Sequence, residues 1–108
     1  MEIIKKEHFF DGAGHVIFKH LLTNEQLNEK CRVYAEVTLE PGCEIGYHVH
    51  HGDAETFYIL SGEGEFNDNG TVRIIKKGDV TYTPSDIGHS LINRGSANLV
   101  LMALIIYD

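Results

Sequence analysis

Polar and apolar residues alternate along most of the chain, and the alternating runs are short. From Arg32 to Leu39, Val33, Ala35, Val37 and Leu39 fall on one face and Arg32, Tyr34, Glu36 and Thr38 on the other, the period of two that marks a half-buried strand. His15 to Leu22 reads as the strand before it. After Glu40-Pro41-Gly42 the strands come quickly: Gly46 to His50, Glu55 to Ser61, Gly64 to Phe66, Thr71 to Lys76, Val80 to Thr83, His89 to Asn93 and Leu99 to Tyr107. Asn67-Asp68-Asn69-Gly70 supplies residues that tolerate positive φ, as a tight hairpin demands, and Lys77-Gly78-Asp79 and Arg94-Gly95-Ser96 punctuate in the same way. Thr23 to Lys30 reads either as one helical turn capped by Thr23 or Asn24, or as a polar loop. No helical period runs longer than about two turns, so the expected class is all-β. Many short strands suit a sandwich, jelly roll or small barrel, and closure removes exposed edges. Leu99 to Tyr107 is apolar on both faces, which suits a central strand or one covered by a partner subunit.

A length of 108 residues leaves no room for a second independent core, so one domain is expected over residues 1–108, with its barrel core from about residue 31 to about residue 107. The hydrophobic share of 43% is enough for a packed interior. A formal charge of -7 repels phosphate backbones and anionic lipid, so neither nucleic acid nor membrane is an expected partner. The N-terminal segment has no long apolar stretch after its positive charges, and Leu99 to Tyr107 falls well short of the ~20 residues of a spanning helix. A soluble cytoplasmic protein is therefore expected. Cys31 and Cys43 match no zinc-knuckle or CxxC spacing and read as two free thiols.

Chemistry concentrates between Gly42 and Glu55. On a strand, His48 and His50 project from the same face while Val49 and His51 point away, which makes the first two a chelating pair. The loop from His51 to Ala54 then reverses the chain and brings Glu55 to the start of the neighbouring strand. A third imidazole comes from His89 if its strand lines the same cavity. Three imidazoles and one carboxylate suit one divalent transition metal ion: iron, manganese, nickel, cobalt or zinc. An octahedral ion held by four side chains keeps two positions for a substrate, for polarising a carbonyl, or for activating oxygen or water. Phe57 and Ile59 share the parity of Glu55 and line the interior. Asn93 reads as a strand-end residue satisfying backbone groups, and Tyr34, Tyr47 and Tyr82 as packing elements. His8, His15 and His20 have no spacing that demands a site. No second carboxylate or lysine is placed in the cavity by parity, so no acid–base residue is assigned.

These residues resemble both signature motifs of the cupin superfamily. The first motif is a glycine, five residues, His-x-His, three or four residues, Glu, six residues and a glycine, filled here by Gly42, His48, His50, Glu55 and Gly62. The second is a glycine, five residues, Pro-x-Gly, two residues, His, three residues and Asn, filled by Gly78, Pro84, His89 and Asn93. Asp86 stands where the family has glycine, in a turn that takes positive φ, a region aspartate visits more readily than most residues. The resemblance covers Gly42 to Asn93. It implies a double-stranded β-helix, the jelly-roll barrel, with metal ligation by His48, His50, Glu55 and His89, and association into a homodimer. Cys43 invites comparison with thiol dioxygenases, but those relatives hold iron with three histidines and no carboxylate, so Glu55 counts against that reading. Two functions follow as expectations: a metal-dependent enzyme acting on a small oxygenated metabolite as dioxygenase, isomerase or decarboxylase, or a non-catalytic module binding such a molecule.

Overall fold

The computed structural model describes residues 1–108 as ten strands in two antiparallel sheets. The strands are β1 (Glu2–Glu7), β2 (His15–His20), β3 (Cys31–Leu39), β4 (Glu44–Val49), β5 (Asp53–Ser61), β6 (Glu63–Asp68), β7 (Thr71–Lys76), β8 (Val80–Thr83), β9 (Gly88–Ile92) and β10 (Leu99–Tyr107). One sheet runs β1-β2-β3-β10-β5-β8 and the other β4-β9-β6-β7, a jelly-roll arrangement that confirms the all-β expectation. The one α-helical turn, α1 (Asn24–Leu27), settles the reading of Thr23 to Lys30. Thr23 Oγ1 accepts from the Gln26 N–H while Gln26 Oε1 accepts from the Thr23 N–H, a reciprocal cap that a polar loop would lack. No helix is long and apolar enough to cross a membrane.

The alternation read from β3 is the inside–outside alternation of the barrel: Ala35, Val37 and Leu39 are fully buried, and Arg32 and Tyr34 are exposed. β10 is central, pairing with β3 along one edge and β5 along the other. Leu99, Leu101 and Ala103 on its inner face join Phe57 and Ile59 of β5 in the core cluster. Asn93 is fully buried, with Nδ2 donating to the carbonyls of Leu39 and Ala97 at 2.8 Å each and Oδ1 accepting from the Gly95 N–H at 2.9 Å. Its role is to tie the end of β3 to the loop before β10, satisfying backbone groups as read from the sequence.

Three departures have physical causes. β1 carries no alternation because it is an edge strand almost wholly in solvent, held by its ladder to β2 in register Glu2↔His20 through Glu7↔His15. β6 extends to Asp68 because it is paired on both sides, to β7 and to β9, and its hairpin closes on Asn69 (φ 51) and Gly70 (φ 99). β4 begins at Glu44 and is broken by a register shift between Ile45 and His48. Strict alternation from the inward Ile45 would send His48 outward; the shift resets the phase and sets His48 directly opposite His89 of β9. The residue at the shift is Gly46, where a Cβ would come within 1.9 Å of the Phe10 carbonyl oxygen.

Candidate metal centre

Four side chains converge inside the barrel. His48 comes from β4, His50 from just beyond its end, Glu55 from β5 and His89 from β9. Their donor atoms form a ring: His48 Nε2 to His50 Nε2 is 3.1 Å, His50 Nε2 to Glu55 Oε1 3.0 Å, Glu55 Oε1 to His89 Nε2 3.0 Å, and His89 Nε2 to His48 Nε2 3.2 Å. Ligands at right angles around an ion, with bonds of ~2.1 Å, stand roughly 3 Å apart. The four edges of the ring match that spacing.

The other nitrogen of each imidazole faces the protein. His48 Nδ1 donates to the Gly46 carbonyl at 2.7 Å, His89 Nδ1 lies 2.9 Å from Thr83 Oγ1, and His50 Nδ1 accepts from Arg32 Nη2 at 3.0 Å, with Asp53 Oδ1 2.9 Å away. The Gly46 carbonyl holds the His48 proton at Nδ1 and so leaves its Nε2 lone pair directed into the ring, the tautomer a metal requires, whereas His50 Nδ1 accepts from the Arg32 guanidinium. Two Nε2 atoms facing each other at 3.1 or 3.2 Å also need a cation between them, a proton or a metal ion. The donor set therefore fits a divalent ion.

The electrostatics agree. Burial pushes the His48 imidazole down to about 4, more than the Gly46 hydrogen bond restores, so it is neutral at physiological pH. Burial alone would raise the Glu55 carboxyl, but hydrogen bonds with His50 and His89 outweigh it and hold the group below its ordinary range, as an anion. His50 moves the other way: its hydrogen bond to Glu55 overcomes burial and raises its pKa above 6.5. A metal must therefore displace a proton from His50 at pH values where free imidazole is already neutral, whereas His48 and Glu55 begin to compete only in much stronger acid. Affinity is expected to be flat above the raised His50 pKa and to fall by at least about tenfold per pH unit below it. Calorimetric titration from about pH 8 to about pH 5 checks this, and an affinity constant across that range would contradict histidine ligation.

Aromatic rings brace the ligands. Phe57 stacks on His89 with centroids 5.2 Å apart and planes at 11°, and Phe66 meets the same ring edge-on. Phe10 stacks on His48 at 3.9 Å and 8° from the tight turn Phe9–Asp11, where Phe10 itself has φ 51. The close backbone approach at Gly46 is what brings this turn against β4. A carboxylate and a guanidinium back the site: Asp53, buried, lies 2.9 Å from Arg32 Nη2 as well as from His50. Sequence reasoning missed Phe10, Asp53 and Arg32. Asp53 had one signal, its place in the loop between two ligands.

His51 sits outside, as parity requires, exposed and paired with Asp86 Oδ1 at 2.7 Å. Asp86 has φ 72, so the aspartate occupies the positive-φ turn normally given to glycine. Cys43 is buried in the core and Cys31 is partly buried, both as free thiols, and neither lines the cavity. Tyr34 and Tyr82 lie exposed and away from the cavity. His20 departs from expectation: with Lys6 and Arg32 it lines a cavity of about 330 Å³ that His48, His50 and Glu55 line as well.

A family model described as "Cupin domain" matches residues 35–107. The chain belongs to the cupin family. An oxalate-binding protein of Thermotoga maritima is 45% identical to this cupin over 95 residues, covering 88% of this chain and 78% of the other. A crystal structure from the same organism, described as a predicted oxalate decarboxylase, superimposes with a TM-score of 0.95 at 40% identity, covering 100% of this chain and 94% of that one. A cupin 2 conserved barrel domain protein of Salinispora arenicola, at 24% identity, has a TM-score of 0.74 over 86% of this chain and 76% of its own and shows the shared fold.

Proposed function

We propose that this cupin holds one divalent transition metal ion through His48, His50, Glu55 and His89 and uses it to bind a small oxygenated acid. The ring of donors with edges of 3.0–3.2 Å carries the reading. Support comes from the cavity of about 330 Å³ that opens onto these residues, room enough for a metabolite to reach the ion. The names of the Thermotoga maritima relatives, one oxalate-binding and one a predicted oxalate decarboxylase, point to acids of this kind. Residues 1–108 act as one domain in this reading, because Phe9 and Phe10, outside the region that the family model matches, complete the cavity wall.

A bound divalent ion supplies Lewis acidity, the chemistry on which a decarboxylase, isomerase or dioxygenase acting on such an acid depends. The chain's own residues orient the imidazoles, exclude water with apolar walls and keep Glu55 ionised. One observation favours the non-catalytic alternative: apart from the ligands, the ionisable wall residues are Lys6, His20 and Arg32, none of them buried, so no buried general acid or base other than the ligands lines the cavity. The binding step common to both forms is tested with oxalate as a minimal chelating probe. Oxalate is expected to raise the melting temperature of manganese(II)-loaded protein by several degrees and to leave chelator-stripped protein unchanged. An equal rise in both would contradict a metal-mediated site.

A homodimer forms part of the proposal. On the outer face of the six-stranded sheet, cross-strand rows join Tyr34, Leu104, Thr56 and Tyr82, and Glu36, Met102, Tyr58 and Val80. Tyr58, Val80 and Tyr82 are 47%, 62% and 66% exposed, an apolar surface that a second copy would cover. Light scattering at micromolar concentration is expected to give twice the chain mass of 12.1 kDa, and a monomer mass would refute the dimer.

A further inference from the structure

We infer that the acid bound here is a monocarboxylate with an apolar body, a 2-oxo or 2-hydroxy acid bearing a branched aliphatic or aromatic side chain, rather than oxalate itself. The inference rests on the metal reading above and adds the substrate class.

The cavity combines metal donors, apolar walls and cationic side chains. The buried donors of His50 and Glu55 share it with Val37, Phe57, Ala103 and Ile105, which are 0%, 1%, 2% and 6% exposed. Lys6 and Arg32, both exposed, line it as well, with the half-buried His20. Lys6 Nζ is poised over the rings of Phe9 and Phe18, 5.3 and 5.4 Å from their centroids. A molecule bound to the metal ligands thus lies against a hydrocarbon wall within the same cavity. In a chain of net charge -7, the Lys6 ammonium beside this cavity favours an anionic visitor that the rest of the surface repels.

Volume and charge exclude oxalate as the best occupant. The space of about 330 Å³ corresponds to roughly eleven waters at ~30 Å³ each, of which a six-atom dianion fills only a small part. The remainder would be water against hydrocarbon, whereas an alkyl or aryl body would displace it. Each methylene so buried is worth about fourfold in affinity. Glu55 is the one anionic ligand, and the Asp53 carboxylate behind His50 is offset by Arg32. A divalent ion with Glu55 and a monocarboxylate is neutral overall, whereas oxalate would leave a net negative charge in a buried site. A six-coordinate ion held by these four side chains would have two positions left, and an acid whose carboxylate and 2-oxo or 2-hydroxy oxygens filled them would carry its body within the same apolar-lined cavity.

The experiment is a two-stage calorimetric titration. Manganese(II), iron(II), nickel(II), cobalt(II) and zinc(II) are titrated first into stripped wild-type protein, and the tightest ion is used to load it. Glyoxylate, pyruvate, 2-oxobutanoate, 4-methyl-2-oxopentanoate and oxalate follow. Affinity is expected to rise about fourfold per added carbon along the 2-oxo series, with the branched acid binding more tightly than oxalate. A flat series, or oxalate tightest, with metal bound overturns this inference and leaves the metal reading standing; failure of every ion to bind overturns both. Ala103→Leu, which fills the wall between β3 and β5, should flatten the series while the metal titration is retained. Should that variant not fold, Val33→Phe at a half-buried wall position serves the same purpose, and an undiminished carbon increment in a folded, metal-binding variant would place the apolar body elsewhere.

Discussion

Replacing Glu55 with alanine is expected to lower divalent-metal affinity by more than about 100-fold, the largest effect of any single change at the site. Outer partners of metal ligands already cost about 10–100-fold when removed, and Glu55 is itself the anionic donor. Its loss also leaves the His50 and His89 nitrogens, each 3.0 Å from Oε1, without their carboxylate. The hydrogen bond that raises the His50 pKa disappears with it, so part of the proton competition is relieved, but that gain is small beside the lost charge. His50→Ala is expected to behave similarly. His51→Ala, one residue along and 74% exposed in its side chain, should bind metal as the wild type does. Equal losses at positions 50, 51 and 55 would show that strand parity does not define the site.

Phe57→Ala is expected to cost about 3–5 kcal/mol, a large part of the stability of a domain this size. The ring is 1% exposed, joins the core cluster, and supports the imidazole of His89 face to face. A fall in melting temperature of more than about 10 °C should accompany it. Metal affinity of the folded fraction should fall too, since His89 loses the surface that fixes its plane. Phe57→Leu keeps most of the volume and is expected to lose less than ~1.5 kcal/mol, which separates packing from stacking. Val72→Ala, on an exposed position of β7, provides the surface comparison and should change stability by about 0.5 kcal/mol or less. Similar costs at positions 57 and 72 would contradict the assigned core.

The pattern of residues foretold the parts of this molecule where one physical signal dominates. β3 announces itself because one face is in the core and the other in water, and β5 because Phe57 and Ile59 share the parity of Glu55. The four converging donors were legible because two lie at a strand spacing of two and the others sit at motif positions. β1 was not legible, since a strand that buries almost nothing carries no hydrophobic period. The Phe9–Asp11 turn was hidden for another reason. Its position depends on a backbone approach at Gly46, some distance along the chain, which local pattern cannot register. Asp53 and Arg32 belong to the same class: their pairing across 2.9 Å joins β5 to β3, and only the fold brings them behind His50. His20 read as an ordinary histidine because its place in the cavity wall follows from the pairing of β2 with β3.

The most direct test of the central claim is metal content, measured by plasma mass spectrometry on untagged protein prepared without chelators, with wild type and His48→Ala side by side. About one equivalent of a divalent transition metal per chain is expected in the wild type, and its loss in the variant. No metal in wild-type protein offered the five first-row ions, or equal metal in both proteins, would contradict it.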